Sequence, residues 1–301
     1  MSHSLLHQHS RLFTSPEPRL RWAARPAAIA VAVLALAACS PADPAAETST
    51  TPPDYPTGHV HGMSVDPGTN RVLLATHDGL FDVSQSPAVR IGPVIDLMGF
   101  TTGANGEFYA SGHPGPGTDL PEPVGLIRST DQGKTWEELS EQGESDFHAL
   151  AATDGGIVAF DGQLRTSEDG MAWEPVGQQI QAFNLAATSR DSVVLATTEE
   201  GLQRSTDNGA TWAAVPDAPL LMLTALSEGR AAGITPDGVV YTSDDAGLTW
   251  VEGGTAPGQA AAIAVRVIDD SALRIWIATE DSVQVSNDNG QTFADLRSNH
   301  Q

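Results

Sequence analysis

The chain has 301 residues, enough for two ordinary domains, and its 38 Asp and Glu against 15 Lys and Arg give a formal charge of -23. A field of that sign repels phosphate backbones and attracts cations, which excludes a nucleic-acid binder. A single cysteine excludes an intrachain disulfide, so whatever folds must be held by packing alone.

In chain order, residues 1–38 read as an export signal, with Arg11, Arg19, Arg21 and Arg25 ahead of an apolar run from Ala27 to Ala38. That run is shorter than the roughly 20 residues needed to span a bilayer. It ends "LALAAC", and Leu36, Ala37 and Ala38 before Cys39 resemble the lipobox of bacterial lipoproteins. The resemblance implies a lipidated Cys39 and a protein anchored to the cell membrane on its extracytoplasmic side. A signal peptide cut after Ala37 and an uncleaved anchor are the alternatives. Residues 39–57 are rich in Pro, Ala, Thr and Ser with no apolar period, the composition of a flexible spacer. The leader takes four arginines and one glutamate with it, leaving 11 basic against 37 acidic residues beyond residue 38.

The folded part is marked by repetition. "STDQGKTW" at Ser129 is answered by "SEDGMAW" at Ser167, "STDNGATW" at Ser205, "SDDAGLTW" at Ser243 and "SNDNGQTF" at Ser286, with intervals of 38, 38, 38 and 43 residues. Each follows a short β-like run such as "GLIRS" or "GLQRS", and "GLFDVS" at Gly79 is a sixth such run without a proper box. Ser and Asp side chains can bond turn amides and Gly supplies a positive φ, so each box predicts a tight hairpin. Trp136, Trp173, Trp212, Trp250 and Phe293 are then expected between neighbouring sheets. The second box is one residue short, so its turn must differ.

These boxes resemble the Asp-box, or BNR, repeat of sialidases, sortilin-type receptors and glycosidase propellers. Four short strands every 40 or so residues is the pattern of a propeller blade. The expected fold is therefore an all-β, six-bladed β-propeller over residues 58–297, with a tail at 298–301. The resemblance places the boxes on the face opposite the ligand, making Asp131, Asp169, Asp207, Asp245 and Asp288 structural rather than catalytic.

The histidines fall on the other face. The innermost strands of blades one to three start with "HVH" (His59, His61), "DLM" (Asp96, Met98) and "DFH" (Asp146, His148), and i, i+2 residues of a strand share a side. His77 and His113 end second strands, which return a meander to the same face. All five histidines of residues 58–297 thus meet there. The loop after His113, "PGPGTDLPEPV", brings Asp119 and Glu122 toward the opening, or serves only as a rigid lip. Imidazole, carboxylate and thioether together suit copper or zinc, and Met98, with Met63 nearby, tilts the choice to copper. Taken singly, each histidine is more often a satisfied wall residue than a ligand; the clustering is what raises the metal reading.

"HVHGM", "ATHDGLF", "DLMGF", "ASGHP" and "DFHAL" resemble a group of exported bacterial propellers labelled glycosylhydrolase-like. That label implies sugar hydrolysis, for which Asp96 and Asp146, with Glu144 as alternate, are the carboxylate pair. A sialidase is not expected, because Arg128, Arg165 and Arg204 lie at the wrong strand ends to grip a substrate carboxylate. The leading expectation is a membrane-tethered monomer binding a small ligand or a copper or zinc ion. A glycoside hydrolase acting on extracellular glycans and a protein-docking scaffold are the alternatives.

Overall fold

The computed structural model describes residues 55–300, apart from 57, 67, 68, 270 and 271. The leader, Cys39 and the spacer up to residue 54 lie outside the described residues. Blade one comprises β1 (Val60–Val65), β2 (Val72–Thr76), β3 (Gly79–Asp82) and β4 (Val89–Ile91). Blade two comprises β5 (Ile95–Thr102), β6 (Phe108–Pro114), β7 (Leu126–Ser129) and β8 (Glu137–Ser140). Blade three comprises β9 (Ala149–Thr153), β10 (Gly156–Phe160), β11 (Leu164–Ser167) and β12 (Glu174–Pro175). Blade four comprises β13 (Asn184–Ala187), β14 (Val194–Thr198), β15 (Gly201–Ser205) and β16 (Ala213–Ala214). Blade five comprises β17 (Leu223–Ser227), β18 (Arg230–Ile234), β19 (Val239–Ser243) and β20 (Val251–Thr255). Blade six comprises β21 (Ala262–Asp269), β22 (Ala272–Ala278), β23 (Val283–Ser286) and β24 (Ala294–Asp295). Every sheet is an antiparallel meander of four consecutive strands, so the protein is a six-bladed β-propeller.

Burial explains the strand types. β2 and β14 are buried along their whole length, since sheets cover both their faces, and they read as unbroken small and aliphatic runs rather than as alternation. The outermost strands β12 and β16 are two exposed residues each. Short edges of this kind offer little template for pairing with another chain.

The box side chains pack where the sequence puts them. Trp136 packs on the core shared by blades one and two, Trp173 on that of two and three, and Trp212 between three and four. Trp250 and Phe293 serve the next two interfaces. Blade one has no box, and the seam between blades six and one is filled instead by Trp276 of β22, 1% exposed, against Val60, Val72 and Leu74. Tyr55 also packs on this seam, and its hydroxyl donates to Thr279 O at 3.0 Å.

Each complete box is closed by the same bonds. In the first, Gly133 N–H donates to Ser129 Oγ at 2.7 Å, while the amide and hydroxyl of Thr135 donate to Asp131 at 2.9 and 2.7 Å. Gln132 and Gly133 both take positive φ there. The short second box drops one of these positions, and Gly170, three residues rather than four after Ser167, supplies the N–H at 2.8 Å. The boxes join third to fourth strands. The start of a first strand and the end of a second lie at the opposite end of the sheet, and that end carries the histidines.

Candidate metal site

A central cavity of about 1570 Å³ runs along the innermost strands of all six blades, and His59, His61, Met63, Met98 and His148 line it. His59 and His148 are exposed rather than sealed in the wall, so they are not core histidines satisfied by burial.

Local backbone features aim the side chains. The β1–β2 ladder shifts register between Val60 and Gly62, and the β5–β6 ladder shifts between Leu97 and Gly99, so His61 and Met98 are the extra residues of equivalent bulges. A bulge re-aims a side chain relative to simple alternation. The i, i+2 expectation for "DLM" is corrected by this: Met98 lines the cavity, whereas Asp96 bonds His77. His77 sits in the tight β2–β3 turn, held by Thr76 Oγ1 donating to Gly79 O at 2.9 Å and accepting from Asp78 N–H at 3.1 Å.

Between blades one and two, His61 Nε2 lies 3.1 Å from His77 Nε2, and His77 Nδ1 lies 2.8 Å from Asp96 Oδ2. One atom from each of His61, His77 and Asp96 falls within 4.8 Å of the others, close enough to share a metal ion. His59 stands edge-on to His77, ring centroids 5.4 Å apart. Burial, followed by the neighbouring His77, holds the His61 imidazole below its ordinary value and so in the neutral form a metal requires.

Between blades two and three, His113 Nε2 lies 3.2 Å and His148 Nε2 3.4 Å from Asp146 Oδ2. His113 Nδ1 bonds Glu122 Oε1 at 2.5 Å, and this bond, with the charge of Asp146, pushes His113 above its ordinary value despite burial. Asp96 and Asp146 share a further property: the Oδ1 atom of each is buried and has no hydrogen-bond partner among the described residues. A buried carboxylate oxygen left unsatisfied is costly unless something else answers it.

The eight metal candidates thus group as follows. His61, His77 and Asp96 form one cluster with His59 beside it, His113, Asp146 and His148 form a second, and Met98 lines the cavity. Glu122 of the loop joins through His113, whereas Asp119 is exposed. Glu144 is exposed, its backbone N–H donating to Glu141 O at 3.0 Å. The arginines a sialidase would need do not converge: Arg128 pairs with Glu137, Arg165 with Glu141 and Asp161, and Arg204 donates to Ala246 O. The contribution of Glu122 was foreshadowed only by loop composition, and the pairing of Asp96 with the preceding blade had no signal in local spacing.

The BNR/Asp-box repeat family matches residues 127–138, the first complete hairpin. No curated protein sequence matches the chain. Among solved structures, it is similar to a GH74 enzyme of Niastella koreensis at 20% identity and TM-score 0.51, over 79% of this chain and 37% of that one. An ancestral GH74 enzyme gives 15% and 0.51 over 80% and 38%. A catalytically inactive virginiamycin B lyase from Staphylococcus aureus with quinupristin gives 13% and 0.52 over 81% and 85%. The chain spans less than two fifths of the GH74 structures, and at these identities only the fold is shared. Sheets, hairpins and comparisons agree on one architecture: a six-bladed β-propeller built on Asp-box repeats, with a histidine and aspartate cluster that can coordinate a metal or small ligand.

Proposed function

We propose that the protein is a lipid-anchored, extracytoplasmic propeller that binds a copper or zinc ion through His61, His77 and Asp96. The observation that carries this is the 3.1 Å approach of His61 Nε2 to His77 Nε2. Two nitrogens bound to one tetrahedral zinc at 2.0–2.1 Å sit about 3.3 Å apart. With Nδ1–H of His77 donating to Asp96, its Nε2 is the lone-pair nitrogen, and a metal would be held by that nitrogen and by Nε2 of the His61 tautomer that carries its proton on Nδ1. Asp96 then acts as ligand or as the carboxylate that orients His77. Met98 on the same cavity wall favours copper.

The tether rests on the sequence from Leu36 to Cys39, and Cys39→Ser is expected to release the protein from the membrane fraction. For the metal, full-length protein made without a purification tag is dialysed against copper or zinc and its metal content measured. A His61→Ala/His77→Ala variant is expected to lose one ion or weaken it at least tenfold. Failure of the unmutated protein to take up either metal, or uptake unchanged in the variant, defeats the reading.

A second reading, hydrolysis of extracellular glycans by Asp96 and Asp146, is favoured by their two unpartnered Oδ1 atoms. Turnover in a glycan screen that Asp146→Asn abolishes, in metal-free buffer, would select it over metal binding.

A further inference from the structure

The ladder registers place three arginines at one position, near the start of the second strand and at the box end of the sheet: Arg71 in blade one, Arg230 in blade five and Arg274 in blade six. Two of them are answered. Arg71 donates from Nε to Asp82 Oδ2 at 2.9 Å and from Nη1 to Gln132 Oε1, in the box of the next blade, at 2.8 Å. Arg230 donates from Nε to Asp244 Oδ1 at 2.6 Å. Arg274 has neither kind of partner: Val285 stands where blade one has Asp82, and the next blade around the ring, blade one, has no box.

Arg274 lies at the box end of the seam between blades six and one. Its guanidinium stands over the Trp276 ring, 4.9 Å from the centroid, and its Nε is buried with no hydrogen-bond partner among the described residues. Ala88, which precedes Val89 as Trp136 precedes Glu137 at the equivalent rung, packs on this seam where the other blades lay an aromatic ring, and Arg274 is only partly buried. Arg266 is the cross-strand partner of Arg274 and reaches over the seam to Asn70 Oδ1 at 2.7 Å. Like charges directly opposite on a sheet repel, and a guanidinium presents its N–H groups in a fork that fits two oxygens of one oxyanion. Burial, followed by the charge of Arg266, lowers the Arg274 guanidinium from its ordinary value, and no carboxylate offsets either.

We infer that Arg274 and Arg266 bind a small tetrahedral oxyanion, phosphate or sulfate, free or as the head of a phosphomonoester, at the box end of the seam between blades six and one. The dianion separates the two guanidiniums, supplies the acceptor that Arg274 Nε lacks, and takes the place that Asp82 and Gln132 take around Arg71. The formal charge of -23 repels anions at long range, so the attraction is short-range and comes from the forked N–H donors. The site lies at the opposite end of the sheets from the histidines and does not depend on a metal there.

The test is calorimetric titration of full-length, untagged protein with inorganic phosphate, after dialysis against a chelator so that no metal on the histidine rim takes up the anion. Stoichiometric binding is expected, and Arg274→Met, which keeps the bulk over Trp276, is expected to weaken it about tenfold or more, the worth of a hydrogen bond to a charged group. Arg274→Lys keeps the charge but not the fork and should fall between the two. In phosphate-free buffer Arg274→Met should melt no lower than the unmutated protein, since its guanidinium has no hydrogen bond to lose, whereas Arg71→Met should melt lower and bind phosphate unchanged. Sulfate should compete with phosphate and acetate should not. Glycerol phosphate binding as tightly as phosphate assigns the site to a phosphomonoester, and weaker binding assigns it to the free ion. Absence of binding, binding unchanged in Arg274→Met, or acetate competing as well as sulfate overturns the site, and Arg274 is then only a cover for Trp276.

Discussion

Asp96 and His113 stand opposite one another across the β5–β6 ladder, yet each bonds outward, Asp96 to His77 of blade one and His113 to Asp146 of blade three. Blade two therefore links the two imidazole clusters. Asp96→Asn keeps the volume but removes the charge that orients His77, and zinc affinity at the first cluster is expected to fall about 10- to 100-fold. Calorimetric titration checks this, with thermal stability little changed because the side chain is partly exposed.

Gly112 precedes His113 with φ of +143°, and a Cβ there would stand 1.9 Å from Asp96 O. Gly112→Ala combines a disfavoured backbone with a collision that only movement of β5 relieves. The expected loss is about 2 kcal/mol or more in urea unfolding. Zinc uptake should fall with it, since the same strand shift displaces Asp96 from His77.

Trp276 fills the seam between blades six and one. Replacement by alanine is expected to cost about 3–5 kcal/mol, the range for truncating a buried aromatic side chain. Trp173→Ala is the comparison: its side chain is only half-buried at an interface that also holds Phe147, and it should cost less in the same urea titration.

The boxes predict an acid limit. The amide and hydroxyl of Thr135 hold Asp131 down to about 2. Burial pushes Asp207, Asp245 and Asp288 up, but their bonds to Thr211, Thr249 and Thr292 outweigh it and leave each below its ordinary value. A carboxylate depressed on folding adds stability that is complete above its unfolded value of roughly 3.9 and is lost as pH falls below it. The melting temperature is expected to drop between about pH 4 and pH 2. Asp207→Asn should start lower and show a flatter profile across that window.

The wheel was legible because its signal is local and repeated: five boxes set the hairpins, their aromatic residues set the interfaces, and the period set six blades. The grouping of His59, His61, His77, His113 and His148 at one end followed from strand direction alone. What spacing could not carry was contact between blades. The bulges at His61 and Met98 depend on how each ladder closes, and the bond from Asp96 to His77 joins residues of different sheets. Trp276 gave no sign of its role, since it sits in a second strand rather than a box and replaces the aromatic residue that blade one lacks.

Every sheet of the described residues is contiguous in the chain, so among those residues no strand of blade six pairs into blade one. Among the described residues the ring is latched by side chains, Trp276 and Tyr55, at the seam of blades six and one, while both imidazole clusters straddle junctions that lie elsewhere on the circumference. A circular permutant opened between blades four and five and sutured across the seam should therefore keep its rim chemistry.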